Sequence, residues 1–481
     1  MIRGAIWTVG TRWLIKGIGF LNTIIMARLL MPEDYGIVAM GMLIVGMTQT
    51  FLDFGATTAL LRKETVSQDE IDSAWTLRLI QGCVAAVVLL LVPPLAVAYF
   101  EEPRLQYILW AFAASILLAS ASSIGPTLAL RDFNFALNFK IDVASKFASV
   151  VATLAGGYFI GDYRALVLGI VTGYLTPLVL GYALHPYRPH WQTSKIGEIW
   201  LITKWLLLAN IGNFILRKGD ELVAGRLGTT GEYGLYNVGS DLGQLPVAEV
   251  GPAMMRAILP VLSSIEGDVE RTNSAVIKIT ATVNSIVWPL GLGFAAVGAQ
   301  ATELILGAKW LAAVPYVQIF AIVAVLQTIT SPAKSLLIVR GHTKIQSHAV
   351  WAEFITFGVA AILLVPHFFL SGLAFARLLA SAANSIIILL VAQSNCALSL
   401  KSMSIQIVRP MLGATCMMLL VTYLITPISS IMLQLFTGVV CGILFFTLWS
   451  LISWQLMERP EGLESTIIDK YYKIFSKIIR H

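Results

Sequence analysis

ARLLMPEDYGIVAMG at residues 27–41 and GRLGTTGEYGLYNVG at residues 225–239 decide how this chain is organised. Aligned without a gap at an offset of 198, Arg28 matches Arg226 and Leu29 matches Leu227. Asp34 meets Glu232, Tyr35 and Gly36 meet Tyr233 and Gly234, and Gly41 meets Gly239. Each copy joins one long apolar run to the next, so the stretch is a repeated turn between consecutive helices. A duplicated helical unit is the organising expectation, and the rest of the sequence says where it sits.

Apolar side chains make up 57% of the 481 residues and charged ones 12%, with a mean hydropathy of +0.79. Soluble domains carry about 25% charged residues. The polar groups present could not cover a water-exposed surface, which excludes a soluble enzyme, a secreted disulfide domain and a disordered chain. A membrane helix needs about 20 apolar residues. Runs between polar or Gly/Pro breaks give fourteen candidate spans, at 5–27, 37–60, 76–100, 105–129, 143–160, 164–184, 200–222, 234–257, 275–299, 314–338, 346–365, 372–393, 409–426 and 431–456. The runs are continuous rather than alternating, so helices are expected and a barrel is not.

Lys and Arg are sorted between the connections. One alternate set carries five, Arg28, Arg104, Arg164, Arg226 and Lys309. The other set, with both termini, carries sixteen, including Arg62, Lys63, Arg131, Lys140, Arg188, Lys195, Arg340 and Lys344. The positive-inside rule then puts both termini in the cytoplasm, which an even number of spans allows. The two repeat copies lie six spans apart and share one orientation, so the repeat is parallel, and a substrate site is expected between its halves. The expected fold is an all-α polytopic membrane protein with about 14 transmembrane helices. Two pseudo-symmetric six-helix lobes, residues 1–190 and 191–400, surround a central cavity. Two accessory helices occupy residues 401–456, and a cytoplasmic tail occupies 457–481. In that tail Ile467, Tyr471, Phe475 and Ile478 share one helical face and Lys470, Lys473, Lys477 and Arg480 another, as in an interfacial amphipathic helix.

An ionisable group near the middle of a membrane helix costs about 2.5–3.5 kcal/mol on insertion scales, so it marks a functional site by default. In the first span Thr8, Arg12, Lys16, Gly19 and Thr23 recur every three or four residues as one polar stripe, with Asn22 beside it. In the seventh span Asn210, Asn213, Arg217 and Asp220 form a second stripe, with Lys218 one step round. The offset of 198 lays the two stripes on nearly the same face of equivalent helices. The cations Arg12, Lys16, Arg217 and Lys218 are the expected substrate-binding set, and an anionic, phosphate-bearing partner explains a close pair such as Arg12 and Lys16. Thr8, Asn22, Asn210, Asn213, Asn237 and Gln244 would supply neutral polar groups. Asp53, Asp220, Asp241 and Glu249 would either bind a coupling H+ or Na+ or balance the cations; Lys218 could meet Asp220 or Glu221. Glu353 is a further acid at depth. Arg78, Arg256, Lys278 and Lys334 are expected to reach lipid headgroups from span ends, and both readings stay open for Arg377.

Cys83, Cys396, Cys416 and Cys441 follow no metal or disulfide spacing, and the six histidines form no ligand or triad pattern. There is no nucleotide-binding fingerprint, no catalytic motif and no connection long enough for a separate domain. No catalytic residue, metal or cofactor is therefore expected, apart from a coupling ion, and no nucleic acid.

The stretch ARLLMPEDYGIVAMGMLIVGMTQTFLDFGATTALLRKE (27–64) resembles the start of Wzx-type polysaccharide flippases of the MATE-like multidrug/oligosaccharidyl-lipid/polysaccharide exporter superfamily. Ala27 to Gly36 matches the turn after the first helix, and Asp53 to Gly55 matches a D-F-G near the inner end of the second. The resemblance implies translocation of an undecaprenyl-pyrophosphate-linked oligosaccharide across the bacterial inner membrane by alternating access, for surface polysaccharide biosynthesis. It also implies contact with membrane lipids and with a polysaccharide polymerase and chain-length machinery. An ion-coupled multidrug exporter of the same superfamily is the alternative, against which the basic stripes count. A membrane polymerase or ligase is a third reading, but it would need large outer loops with polar clusters.

Overall fold

Proline and paired small residues decide where the long apolar runs break. The computed structural model describes residues 2–52, 60, 66–132, 134–248, 250–265 and 268–457. No strand occurs among them. The helices are α1 (Ile2–Leu29), α2 (Pro32–Leu52), α3 (Gln68–Leu91), α4 (Pro93–Phe100), α5 (Leu105–Ala121), α6 (Gly125–Arg131), α7 (Phe135–Phe159), α8 (Arg164–Leu184) and α9 (Ile196–Leu227). They continue with α10 (Thr230–Ala248), α11 (Val250–Ser264), α12 (Val269–Ala296), α13 (Gly298–Leu306), α14 (Val314–Ile329), α15 (Ser331–Val339), α16 (Thr343–Cys396), α17 (Leu400–Ile425) and α18 (Ile431–Leu456). Eight described helical stretches are long and apolar enough to cross a membrane, or nine if the bent pair α5 and α6 is one span.

Several expected spans are two helices rather than one. The run 76–100 divides between α3 and α4 at Pro93, whose missing N–H and ring restart the chain as a first-turn proline. The run 105–129 bends by 47° between α5 and α6, ahead of Pro126. The run 314–338 breaks at Thr330, two residues before Pro332. Conversely, α16 is 54 residues long and holds two expected spans, turned at Phe369, the one non-helical residue inside it (φ 52°, ψ −131°).

The chain packs as two compact units, Met1–Gly234 and Leu235–His481. In the first, α7 packs against both α1 and α8. Glycines let these backbones approach: Gly156 faces Ala165, and Gly157 faces Met26 and Leu29. The capping box of Ser67 and Glu70 starts α3. Inside it, Arg78 donates from Nε to the Ser120 carbonyl at 3.2 Å and from Nη2 to the Ser122 carbonyl, which Trp75 Nε1 also reaches at 3.2 Å. These carbonyls lie where α5 ends, so Arg78 satisfies backbone groups that the bend leaves without helical donors. Arg78 is thus a structural cation and not a headgroup anchor.

The repeated turns meet one another within this first unit. A side chain on Gly36 would overlap the Thr230 carbonyl, and one on Gly234 would overlap the Pro32 carbonyl. The contact is reciprocal under the offset of 198, which takes Pro32 to Thr230 and Gly36 to Gly234. Only glycine fits here, which is the physical reason the two motifs share this glycine. Arg226 and Glu101 pair at 2.7 Å beside this contact. Buried Glu102 accepts from Arg104 Nε and Nη2 at 2.9 and 2.8 Å and from Thr230 Oγ1 at 3.0 Å. These bonds hold the Glu102 carboxyl below its ordinary range, the Arg104 guanidinium being the main cause.

In the second unit Trp288 and Asn284 form a buried polar pair on α12. Trp288 Nε1 donates to Asn284 Oδ1 at 3.0 Å, and Asn284 Nδ2 donates to the Thr280 carbonyl at 2.9 Å. The apolar core around them includes Val247, Val287, Leu292, Val325 and Ala414. The helices α17 and α18 pack together where Gly413 accepts the indole of Trp449, whose Nε1 donates to the Arg409 carbonyl at 3.2 Å.

Candidate functional site

The polar stripe of the first expected span lies on one continuous helix, α1. Thr8 falls on α1, but its side chain is outside the described residues. Arg12 and Lys16 are exposed, with Gly19, Asn22 and Thr23 partly covered. Arg12 and Lys16 are one turn apart. At about 6 Å two unit charges repel by roughly 3 kcal/mol at an effective dielectric of 20. The sequence of α1 itself carries no acidic residue over its 28 residues. Thr23 Oγ1 returns to the Gly19 carbonyl at 3.1 Å, as hydroxyls do inside helices. The Oδ1 of Asn22 is buried without a hydrogen-bond partner.

Tertiary packing brings a further cation to this stripe. A Cβ placed on Gly19 would lie 3.1 Å from both Cε and Nζ of Lys146, so the ammonium of this α7 residue rests against α1 at the stripe itself. Asp142 lies one turn before Lys146 and is exposed. Sequence reasoning about the stripes missed Lys146. Its signal was a lysine inside the apolar run 143–160, four residues after an aspartate.

The second stripe, on α9, behaves differently. Asn210 is partly buried and Arg217 exposed, while the side chain of Asn213 is outside the described residues. Lys218 pairs with Glu221, whose carboxylate is buried. Glu221, at i+3 on the same helix face, is one of the two partners the sequence offered for it. Asp220 is buried, at 4% exposed. On α10, Asp241 is exposed and Asn237 and Gln244 are partly buried; Gln244 Nε2 donates to Ser240 Oγ at 2.8 Å. Asp53 and Glu249 lie outside the described residues.

Two cations left open or assigned to headgroups by the sequence gather in the second unit. Arg377 Nη1 lies 3.9 Å from Glu353 Oε1, with both residues buried, and Lys334 is a further electrostatic neighbour of Glu353. Glu353 and Arg377 stand on opposite sides of the Phe369 turn within α16. Among the described residues no group of His, Cys, Asp and Glu is arranged to hold a metal ion.

A helical membrane fold with a cationic stripe on its first helix defines the class, a polytopic membrane protein, and comparison with known proteins gives the family. The sequence profile of the polysaccharide biosynthesis protein family matches residues 25–315, and the chain belongs to that family. It is 23% identical to the lipopolysaccharide biosynthesis protein WzxC of Escherichia coli (strain K12) over 348 residues, covering 72% of this chain and 71% of that one. It is 23% identical to the succinoglycan biosynthesis transport protein ExoT of Rhizobium meliloti (strain 1021) over 320 residues, covering 66% and 64%. Among solved structures, the lipid II flippase MurJ in an inward closed conformation superposes with a TM-score of 0.76 at 14% identity, covering 95% of this chain and 100% of that one. An inward-facing MATE-family multidrug transporter superposes with a TM-score of 0.63 at 14% identity, covering 80% and 94%. These superpositions establish the shared fold. The resemblance carried by residues 27–64 is borne out, and the chain is a multi-pass helical membrane protein with the fold seen in MurJ and the MATE transporter.

Proposed function

We propose that this protein moves an undecaprenyl-pyrophosphate-linked oligosaccharide from the cytoplasmic to the periplasmic leaflet by alternating access, in surface polysaccharide biosynthesis. The observation that carries the reading is the α1 stripe: Arg12 and Lys16 sit one turn apart, exposed, on a helix without an acidic residue. Two exposed cations one turn apart match the charge and the spaced oxygens of a diphosphate. Names of relatives, such as a lipopolysaccharide biosynthesis protein and a succinoglycan biosynthesis transport protein, support a glycan cargo. The proposal places the protein in the inner membrane with both termini cytoplasmic, in contact with membrane lipids and working beside a polymerase and chain-length machinery. A cargo of charge about −2 moving outward is favoured by roughly 4.6 kcal/mol per 100 mV of inside-negative potential. Membrane potential therefore biases the direction outward without an antiported ion, and Asp241 is the candidate for coupling H+ or Na+ within the same scheme.

The test is the Arg12→Ala/Lys16→Ala double variant. It is expected to stay in the membrane and to abolish surface polysaccharide, and to stop flipping of the lipid-linked cargo in proteoliposomes. Normal output would remove α1 from the site. In the same vesicles Asp241→Asn separates the driving forces, since a retained pH and sodium dependence leaves Asp241 without a coupling role.

A further inference from the structure

The α1–α7 contact is built around a missing side chain. Gly19 occupies the polar stripe of α1, and the Lys146 ammonium takes the space that a larger residue would fill, 3.1 Å from the position of a Cβ. Lys146 is half-buried, and no hydrogen bond or ion pair engages it among the described residues. Lys16 lies three residues before Gly19 and Arg12 seven before, so at 1.5 Å rise per residue the three cations span about 10 Å of the α1 axis. Asn22, whose Oδ1 is buried without a partner, lies three residues after Gly19 on the same side.

An ammonium held in a membrane helix without a counter-charge is costly, and pairing or a ligand is the ordinary reason for one. The nearest acid on its own helix, Asp142, is one turn away and makes no ion pair with it within the described residues. A lysine acts as a flexible point charge rather than a planar fork, which suits an oxyanion approached from the side. We propose that Lys146 is a specificity-determining residue for the cargo: through the gap at Gly19 it supplies a third cation to the oxyanion bound by Arg12 and Lys16. The oxyanion is the carrier's diphosphate or a carboxylate on the glycan. This rests on the reading of the α1 stripe as the anion site, and it adds that the site is assembled from two helices.

The experiment measures binding to the purified full chain in nanodiscs. The probes are undecaprenyl diphosphate, the same carrier with a neutral glycan, and the same carrier with an acidic glycan. Lys146→Met is expected to weaken binding by about tenfold or more, as for loss of one charged hydrogen bond. Its melting temperature should hold or rise, because an unpaired charge leaves the interior. Weakening with the bare carrier assigns the contact to the diphosphate, and weakening confined to the acidic glycan assigns it to a carboxylate; both support the proposal. Gly19→Leu keeps every cation but fills the gap, so it should reproduce the loss and add little to Lys146→Met. Lys146→Arg should restore most of the affinity. Unchanged affinity in Lys146→Met and Gly19→Leu, with loss in Arg12→Ala, overturns this inference and leaves the α1 reading standing. Unchanged affinity in all of them, Arg12→Ala and Lys16→Ala included, defeats the α1 reading itself. A lowered melting temperature at full affinity would make Lys146 a structural cation and also overturn the inference.

Discussion

The two units treat charge inside the membrane in opposite ways. In Met1–Gly234, Arg12 and Lys16 stand exposed on α1, and Lys146 of α7 rests against α1 at Gly19. In Leu235–His481, Arg377 and Lys334 gather around Glu353, and Glu353 and Arg377 are only 4% and 7% exposed. The first arrangement sets two cations on α1, which carries no carboxylate, with a third on α7 one turn from Asp142. The second places the carboxylate at the centre. Burial alone therefore does not mark the binding site. What separates the two is that the second cluster is built around a buried carboxylate, whereas α1 carries none of its own.

That contrast can be broken most sharply at Glu353. Glu353→Gln leaves two cations facing each other without their carboxylate and is expected to destabilise the protein by about 3–5 kcal/mol. Thermal unfolding of the purified protein measures this, and Glu353→Gln/Lys334→Met should recover part of the loss. If Glu353→Gln unfolds like the parent, the second cluster is no more structural than the first.

A smaller effect sorts Lys218 within the first unit. Lys218→Met removes a partner of the buried Glu221 carboxylate, so a loss of about 1–3 kcal/mol is expected. Surface polysaccharide should be made at the parental level once protein amounts are matched. A transport defect at full stability would place Lys218 in the anion-binding set.

The smallest expected effect concerns acid. The Glu102 carboxyl is held below its ordinary range chiefly by Arg104. Its contribution to stability is present above the unfolded carboxyl's pKa and is lost as pH falls through the lower folded value. Arg104→Ala should thus lower the melting temperature at neutral pH and make little difference in strong acid. A pH-independent effect would show that Arg104 acts by packing alone.

Much of this was legible before any coordinates. Hydrophobic runs identify membrane helices because the bilayer forces every backbone group to bond within its own segment. The stripe on α1 follows from helical periodicity, and Tyr35-Gly36 and Tyr233-Gly234 disclose the repeat. Breaks at Pro93 and Pro332 were visible as prolines but not as helix ends, since membrane helices often tolerate proline.

Sequence by itself determined the membrane class, the repeated turn and the α1 stripe, because each depends on neighbours within a few residues. Tertiary structure decided which charges are answered. Arg78 meets carbonyls at the end of α5, Arg377 meets Glu353 across the Phe369 turn, and Lys146 reaches α1 through Gly19. Periodicity reports the face of one helix, whereas a counter-charge comes from whichever helix packs against that face.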